Sequence, residues 1–525
     1  MVDQTQVKDT TESRKFLLSN LLVGGGTLLS RVTGFGRILA LAYAIGLGGL
    51  SDVYNTANTT PNIIYELMLG GILSATLLPS FVRSLKQDDH KAISAVLSIT
   101  TILLAGLTLV MVLAAPLIMQ IYSVTRQDNP QEFAAVGTHF VRLFMPQIFF
   151  YGLVSMATAL LNAQHKFALP AYAPILNNIV VIGILVALPH LFGHGVTLEM
   201  AAQNATIITY LGWGTTAGIA VSALTLVPAM MRSGIKLEFL PDWKHPEVQK
   251  VLKLSGWTLG YVIANQVALY VVSLLALHQE GWMTAYQTAF AFFVLPHGLL
   301  AMTIITTFMP KIAQDAASAH LVDMADKMVQ GVKILMLLMI PASVGYMLIA
   351  TPLLITLLNH GSFTVEAAHL TGGTLSMFAV GLFPFSAYLF LMRGYYALSD
   401  TKTPFKLNVV ENIINIALAI PLVKMMGVSG LALSYSLAYC LSSILTFYRL
   451  NKRVGNGLAR LELITYLGKV MAVAFVMAGA VIVTLFELNH FVEWQQVTAA
   501  VLVGGAVYGT LVVMFKLVDL KALRR

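Results

Sequence analysis

The sequence predicts an all-α, polytopic membrane protein with about fourteen transmembrane helices. Of its 525 residues, 57% are hydrophobic and only 11% are charged, and the mean hydropathy is +0.78. Apolar runs of about 20 residues, the length that crosses the hydrocarbon core of a bilayer, recur along the whole chain. A transmembrane barrel would show short segments of alternating hydrophobicity instead, so these runs favour helices.

Hydrophobic runs separated by loop signals define the predicted spans. Several runs are longer than a bilayer requires, which indicates tilted helices or helices that extend beyond the membrane. The predicted cores are residues 17–46, 53–82, 93–123, 135–162, 169–192, 204–231, 248–277, 283–310, 329–358, 367–396, 404–425, 428–448, 464–487 and 495–516.

Lysine and arginine are distributed unevenly between the two sides of this map. The N-terminal tail, the loops after even-numbered spans and the C-terminal "KALRR" hold most of them, whereas only Arg126 and Lys424 fall on the opposite side. The positive-inside rule therefore predicts that both termini are cytoplasmic. The net charge of +8 is explained by this topology, so no nucleic-acid partner is expected.

An internal repeat is visible in two pairs of segments. "LPAYAPILNN", which begins at Leu169, and "TPFKLNVVEN", which begins at Thr403, share the same Pro-to-Asn spacing. "TLLPSFVR" at Thr76 and "TFMPKIAQ" at Thr307 form a weaker pair. The offsets of 234 and 231 residues agree, and they indicate duplication of about six helices in the same orientation, as in parallel-repeat transporters. We expect two six-helix bundles around a central cavity.

The predicted organisation follows from the spans and the repeat. It consists of a cytoplasmic tail (1–15), an N-terminal six-helix bundle (16–235), a C-terminal six-helix bundle (246–450), a pair of C-terminal helices, 13 and 14 (460–517), and a second cytoplasmic tail (518–525).

The first span contains two arginines in the stretch "SRVTGFGR". Arg31 and Arg37 would each cost about 2.5–3.5 kcal/mol at the centre of a membrane helix, so such residues usually face a cavity or a partner. Guanidinium groups bind phosphate in a bidentate manner, which favours an anion site. Gly34 and Gly36 lie between them and predict a flexible hinge that turns both arginines toward one cavity.

The second span is unusually polar and supplies the nearest companions. Asp52, Asn62 and Glu66 lie on it, and with the two arginines they form the predicted substrate-binding set. The alternative is structural: one arginine reaches the membrane surface and the other pairs with Glu66 or Asp52.

The eleventh span carries a second polar face. Asn408 lies three or four residues before Glu411 and Asn412, and Glu411 lies four residues before Asn415, so one side of the helix is polar. An acid inside the membrane is a candidate for coupling to a cation or proton. The alternative is that Glu411 is neutral or pairs with Lys406.

No motif of a soluble active site is present in the sequence. It contains no P-loop, HExxH, GxSxG or Cys/His metal spacing, each of which would supply a known chemistry. We therefore expect a protein that is not an enzyme and has no cofactor. Transport would be driven by a monovalent cation, the membrane potential or the supply of substrate.

Several motifs together resemble one family. "SRVTGFGR", "ALLNAQHKF" followed by "PAYAPILNN", "HGSFT" from His360, and "SDTKTP" from Ser399 are similar to segments of the MurJ (MviN) lipid II flippases, which belong to the superfamily of multidrug, oligosaccharidyl-lipid and polysaccharide flippases. The resemblance covers nearly the whole chain.

The resemblance implies a fold, a function and a set of site residues. It implies two six-helix bundles plus two C-terminal helices that form a groove for a lipid tail. It implies movement of lipid II, an undecaprenyl-pyrophosphate-linked disaccharide-pentapeptide, to the outer leaflet of the bacterial cytoplasmic membrane for cell-wall synthesis. Arg31 and Arg37 match two arginines at the family's central cavity, and Asp52 matches an acidic residue. Many members have arginine where this chain has Tyr65 and Ala291, which implies a less basic cavity.

Three other functions remain open from the sequence. The chain could move another polyprenyl-linked saccharide, export small cationic drugs, or act as a non-transporting scaffold for cell-wall enzymes. The expected partners are lipid II, membrane lipids, and proteins of cell-wall synthesis and division. Arginines in a cavity do not suit a cationic drug, and short loops offer a scaffold little docking surface.

Overall fold

The computed structural model describes residues 4–67, 77–459 and 461–518, with side chains from residue 23 onward except 64–67 and 254–265. All regular structure within these ranges is helical. The chain divides into two compact units: Met1–Val267 with Leu277–Gly281, and Ala268–Ala276 with Trp282–Arg525.

The first unit is built from ten helices and most of an eleventh in the described ranges. They are α1 (Gln4–Ile45), α2 (Gly49–Leu67), α3 (Leu78–Lys86), α4 (His90–Leu113), α5 (Ala115–Ser123), α6 (Pro130–Phe144), α7 (Pro146–Ala163), α8 (Ala168–Phe192), α9 (Leu198–Gln203), α10 (Ala205–Met231) and α11 (Pro246–Ala276).

The second unit contains the end of α11 and the remaining helices. They are α12 (Trp282–Pro296), a π-helical turn (His297–Ala301), α13 (Met302–Ala317), α14 (Leu321–Leu358), α15 (Val365–Ala379), α16 (Leu382–Ala397), α17 (Lys402–Met426), α18 (Val428–Arg453), α19 (Leu461–Glu487) and α20 (Glu493–Met514).

The predicted membrane spans are largely present. Eleven stretches of described helix are long and apolar enough to cross a bilayer, and the pair α15 and α16, bent by 46°, is a twelfth if it forms one span. The predicted span 53–82 includes residues 68–76, which are not described. The predicted span 248–277 includes residues 254–265, whose side chains are not described. The all-α membrane fold is therefore confirmed, and the count of fourteen stays a prediction.

The internal repeat is confirmed by the structure of each unit. Helices α8 and α17 are both 25 residues long and begin 234 residues apart, and α6 and α15 are both 15 residues long. Within the first unit α10 packs on α6, α7 and α8, and within the second α18 packs on α15, α16 and α17. The same internal packing was thus built twice.

Breaks in the helices have local causes. Pro146 opens α7 directly after α6 ends, because proline cannot donate the hydrogen bond that would continue the helix. Gly381 lies at the bend between α15 and α16, where an added Cβ would come within 2.7 Å of the Ser436 Oγ atom. Only glycine permits this close approach to α18.

The predicted domain boundaries can be compared with the two units. The first part of α11, predicted to open the second bundle, belongs to the first unit as far as Val267. Helices α19 and α20, predicted as a separate pair, belong to the second unit and pack on α14. The Tyr508 hydroxyl donates a 2.7 Å hydrogen bond from α20 to the Leu337 carbonyl oxygen.

The predicted orientation can be tested with two glutamines. Gln87 precedes α4 and Gln127 follows α5, and both are exposed. Cys440 is the single cysteine of the sequence. In a Cys440→Ser background, we expect Gln127→Cys in intact cells to react with an impermeant thiol reagent. We expect Gln87→Cys to react only after the membrane is permeabilised, because basic loops remain cytoplasmic. The reverse pattern would invert the map.

Candidate functional site

A polar cavity lies inside the first unit. Its volume is about 340 Å³, and it is lined by residues of α1, α2, α7, α8 and α10: Arg37, Asn62, Tyr151, Val154, Pro174, Asn177, Ile219 and Ser222. Only one of these residues carries a full charge, and four others carry amide or hydroxyl groups. The described lining of the cavity therefore provides one cation together with neutral hydrogen-bonding groups.

Helix α1 is held in place by its packing on α8. The Asn178 Nδ2 group donates to the Ser30 carbonyl oxygen at 3.2 Å and to the Thr33 hydroxyl at 3.0 Å. An added Cβ at Gly34 would be 3.6 Å from Asn178, and one at Gly36 would be 3.5 Å from a side chain of α8. The helix is continuous through both glycines, so they serve close packing here. Their predicted action as a hinge stays a prediction.

Arg37 is the charged group of the cavity. It is half-buried, and among the described side chains it has neither a hydrogen bond nor an ion pair. Arginine stays protonated in proteins and presents five donors in a planar fork. A half-buried positive charge with no counter-charge among the described side chains can receive an anion in the cavity.

Two neutral groups from α2 and α7 form a second part of the cavity wall. The Tyr151 hydroxyl donates a 2.7 Å hydrogen bond to the Asn62 Oδ1 atom. This bond orients the Asn62 amide, whose remaining donors are suited to phosphate or sugar oxygens. The predicted pair Arg37 and Asn62 is therefore brought together in one cavity.

Asn177 was not predicted as a site residue. Its Oδ1 atom is buried and has no hydrogen-bond partner in the described part of the chain, and its side chain contributes to the cavity wall. An added Cβ on Gly218 would lie 2.4 Å from this oxygen, so a glycine on α10 makes room for it. A buried acceptor without a partner costs free energy, which favours a role in binding a hydroxyl or amide of a ligand.

The repeat could have identified Asn177 from the sequence. Asn177 and Glu411 are separated by the same 234 residues as Leu169 and Thr403, so they occupy equivalent positions on α8 and α17. The polar position of one copy thus predicts a polar position in the other. Tyr151 and Ser222 carry no such signal, because single hydroxyls on apolar helices are common.

The remaining predicted substrate residues lie elsewhere. Arg31 is exposed and interacts with other groups of the chain, and it is not among the described residues that line the cavity. Glu66 lies on α2, but its side chain is outside the described residues. Asp52 also lies on α2, completely buried away from this cavity.

Asp52 holds an internal polar cluster together. Its Oδ2 atom lies 3.4 Å from the Arg126 guanidinium and accepts a 2.6 Å hydrogen bond from the Gly281 amide. Arg126 is also buried, lies over the Phe133 ring at 4.4 Å and donates to the Asp128 carbonyl oxygen. Asp52 therefore forms an ion pair that connects the loop before α12 to the rest of the first unit, and its predicted contact with substrate stays a prediction.

Glu411 lies at a second polar position, inside the second unit. Its side chain is buried and close enough to act electrostatically on the hydroxyls of Tyr286, Tyr435 and Tyr439. No basic side chain of the described residues forms an ion pair with it, and the alternative partner Lys406 is exposed.

The predicted amides of α17 lie on either side of Glu411. Asn412 is half-buried, and its Nδ2 group donates to the backbone and side-chain oxygens of Asn408 at 2.9 and 3.3 Å. One turn further along, Asn415 is buried on the same face as Glu411, and the Ser434 hydroxyl donates to the Asn415 Oδ1 atom at 3.0 Å. Carboxylate, amide and hydroxyl oxygens of this kind suit a hard cation.

Comparison with known proteins points to one family. The sequence model described as "Lipid II flippase MurJ" matches residues 41–502. The lipid II flippase MurJ of Burkholderia cenocepacia is 27% identical over 443 residues, covering 82% of this chain and 83% of that protein. The probable lipid II flippase MurJ of Vibrio cholerae is 26% identical, covering 98% and 99%.

Solved structures show the same fold. A lipid II flippase MurJ in an inward closed conformation matches with a TM-score of 0.79 and 22% identity, covering 96% of this chain and 100% of that one. An inward-facing multidrug transporter of the MATE family matches with a TM-score of 0.67 and 11% identity, covering 82% and 95%.

These findings define a class and a family. A polytopic helical protein with a duplicated bundle and polar positions inside each copy is a transporter of the fold that MurJ and MATE proteins share. Within that class, the chain belongs to the MurJ lipid II flippase family, because the family model matches most of its length.

The buried pair of Asp52 and Arg126 can be tested by a mutant cycle. Removing one partner leaves a buried charge uncompensated, so Asp52→Asn or Arg126→Met should each destabilise the protein by about 3–5 kcal/mol. The double variant should recover most of the loss, measured as the Tm of the purified protein in detergent.

The half-exposed pair of Arg83 and Glu247, at 3.1 Å, provides the matched control. Exposed pairs contribute about 0–1 kcal/mol, so Arg83→Met should change the Tm little. Additive losses in the Asp52→Asn/Arg126→Met double variant would contradict the coupling.

Proposed function

We propose that this protein is a lipid II flippase that moves undecaprenyl-pyrophosphate-linked disaccharide-pentapeptide from the inner to the outer leaflet. The observation that carries the proposal is the cavity of the first unit, where Arg37 has no counter-charge among the described side chains. Membership of the lipid II flippase family supports the choice of substrate.

The cavity chemistry fits the headgroup of such a lipid. A pyrophosphate carries negative charge on oxygens that accept the bidentate donors of Arg37. The amides of Asn62 and Asn177 supply neutral hydrogen-bonding groups for sugar hydroxyls, phosphate oxygens or peptide groups. With Tyr65 and Ala291 where many relatives have arginine, Arg37 would carry a larger share of anion binding than in those relatives.

The C-terminal helices are suited to the lipid tail. Helices α19 and α20 present exposed apolar side chains such as Phe475, Val483 and Leu502. A small core of Ile349, Met477, Val481 and Ala500 joins them to α14. In the hydrocarbon core such exposed surfaces contact lipid chains, so they support the tail groove that the family resemblance implies.

Glu411 is proposed as the coupling residue. A buried carboxylate costs free energy unless a proton or cation neutralises it, and within the described residues no basic side chain forms an ion pair with it. Glu411, Asn415 and the Ser434 hydroxyl supply oxygen atoms of the type that a monovalent cation binds. Binding or release of that charge would change the free energy of the conformations that alternating access requires.

The proposed location is the bacterial cytoplasmic membrane, with both termini in the cytoplasm. The distribution of lysine and arginine supports this orientation. Proteins of cell-wall synthesis and division are the proposed protein partners, since they would use the flipped precursor. A flippase of another polyprenyl-linked saccharide is the second candidate, because the same pyrophosphate chemistry would bind to Arg37.

The proposed anion site predicts the effect of changing Arg37. Arg37→Ala should lower flipping at least tenfold, since a hydrogen bond to a charged group contributes about 1.5–3 kcal/mol. Arg37→Lys should retain part of the activity, because it keeps the charge and loses the fork. Outer-leaflet lipid II and growth, in a bacterial strain depleted of its own flippase, would be measured at equal membrane abundance.

Two comparison variants make this experiment decisive. Arg31→Ala, on the same helix, should lose less activity than Arg37→Ala if the cavity of the first unit holds the pyrophosphate. Arg37→Met with Glu66→Met tests the structural alternative, because a buried pair can often be replaced together. Restored flipping in that double variant would contradict the anion site.

The proposed coupling role predicts the effect of changing Glu411. Glu411→Gln removes the titratable charge and preserves the shape, so the dependence of flipping on a sodium or proton gradient should be lost. Glu366→Gln, at the exposed start of α15, is the matched control and should leave that dependence intact. A Glu411→Gln protein with an unchanged gradient dependence would restrict this residue to a structural role.

A further inference from the structure

The segment between α10 and α11 contains exposed aromatic residues that lie outside the proposed transport site. Residues 236–244, called the strap below, have the sequence "KLEFLPDWK" and no regular secondary structure. Phe239 is 72% exposed and Trp243 is 47% exposed. Aromatic side chains of membrane proteins concentrate at the bilayer interface, so the position of the strap relative to the bilayer decides their role.

The strap is fixed along the first turns of α4. The amide of Lys236 donates to the His90 Nδ1 atom at 3.3 Å, that of Glu238 to the Ser94 hydroxyl at 3.2 Å, and that of Leu240 to the Ser98 hydroxyl at 2.8 Å.

The spacing of these bonds has a geometric reason. Two residues of extended chain advance by about 6.6 Å, and four residues of helix advance by about 6 Å. Alternate amides of the strap therefore meet side chains that are one helical turn apart on α4.

The same helix shows where lipid begins. Residues Ala92–Ile99 of α4 are buried, whereas Ile102, Leu103 and Leu107 are exposed apolar side chains of a membrane span. Ile102 is four residues beyond Ser98, which is about 6 Å along the helix axis. Leu240, the last strap residue bonded to α4, thus lies about one turn before the lipid-facing surface of α4 starts.

Basic residues outnumber acidic ones in the two segments that contain or adjoin the strap. Segments 83–91 and 232–253 contain eight lysines and arginines against five aspartates and glutamates. Four of the five acids have partners inside the unit: Asp88 lies 3.2 Å from the His90 ring, Asp89 accepts from the Ala92 amide, Asp242 from the Lys244 amide, and Glu247 from Ser80 and Arg83. The lysines at both ends of the strap, Lys236 and Lys244, are exposed.

We propose that the strap is an interfacial lipid anchor specific for anionic phospholipid. Phe239 and Trp243 enter the boundary between headgroups and acyl chains, where aromatic side chains of membrane proteins concentrate. Lys236 and Lys244 contact the phosphate groups of anionic lipids, which attract each nearby lysine by about 1 kcal/mol. The hydrogen bonds to α4 hold both pairs at this depth.

The first test measures depth. Phe239→Cys in a Cys440→Ser background is labelled with a bimane dye, and the full chain is reconstituted in vesicles of phosphatidylglycerol and phosphatidylcholine. Lipids with a nitroxide near the headgroup should quench this dye several-fold more than a dye at Gln87→Cys, an exposed position three residues before the start of α4. Equal quenching at the two positions would overturn the anchor.

The second test measures lipid selectivity. The labelled protein in detergent is titrated with a short-chain phosphatidylglycerol, and dye emission reports binding. Lys236→Gln should weaken the response about fivefold, and Lys236→Gln with Lys244→Gln about 30-fold. Lys402→Gln with Lys406→Gln, two exposed lysines on α17, should leave it unchanged. Identical titrations with phosphatidylglycerol and phosphatidylcholine would overturn the selectivity for anionic lipid.

Discussion

The structure depends on one constraint: polar and charged groups inside a bilayer must find a partner or a function. A spanning chain satisfies its backbone by forming helices, so the remaining free energy cost lies in the few polar side chains that the helices carry. In the first unit, the buried charges of Asp52 and Arg126 neutralise each other. Arg37 lacks a counter-charge among the described side chains, which makes it the group that a ligand would complete.

The duplicated fold assigns different chemistry to equivalent positions. Helices α8 and α17 have the same length, and each packs on the equivalent helix of its own unit, α10 in the first and α18 in the second. At one position the first unit has Asn177, beside the cavity that contains Arg37, and the second unit has Glu411 among tyrosine hydroxyls. A duplication followed by such divergence can provide an anion site in one copy and a cation site in the other without a new fold.

The sequence predictions that agree with the structure, such as the helical membrane fold, rest on local patterns. Long apolar runs are sufficient to predict helical spans, and the offset of 234 residues was sufficient to predict two copies of one bundle. The cavity position of Arg37 also followed from the cost of a charge in a membrane helix. The pattern does not identify the partner of Asp52: an acid in a span indicates a partner, and the tertiary structure pairs this one with Arg126, which is 74 residues away.

The sequence by itself determined the all-α membrane class, the repeat and the resemblance to a flippase family, because periodicity, composition and motifs are properties of neighbouring residues. The tertiary structure decided which polar groups meet. It paired Asp52 with Arg126 and brought Arg37, Asn62 and Asn177 from three helices to one cavity. It also placed the loop between α10 and α11 along α4. These choices depend on helix packing between distant segments, and the energies of such contacts leave no periodic pattern in the chain.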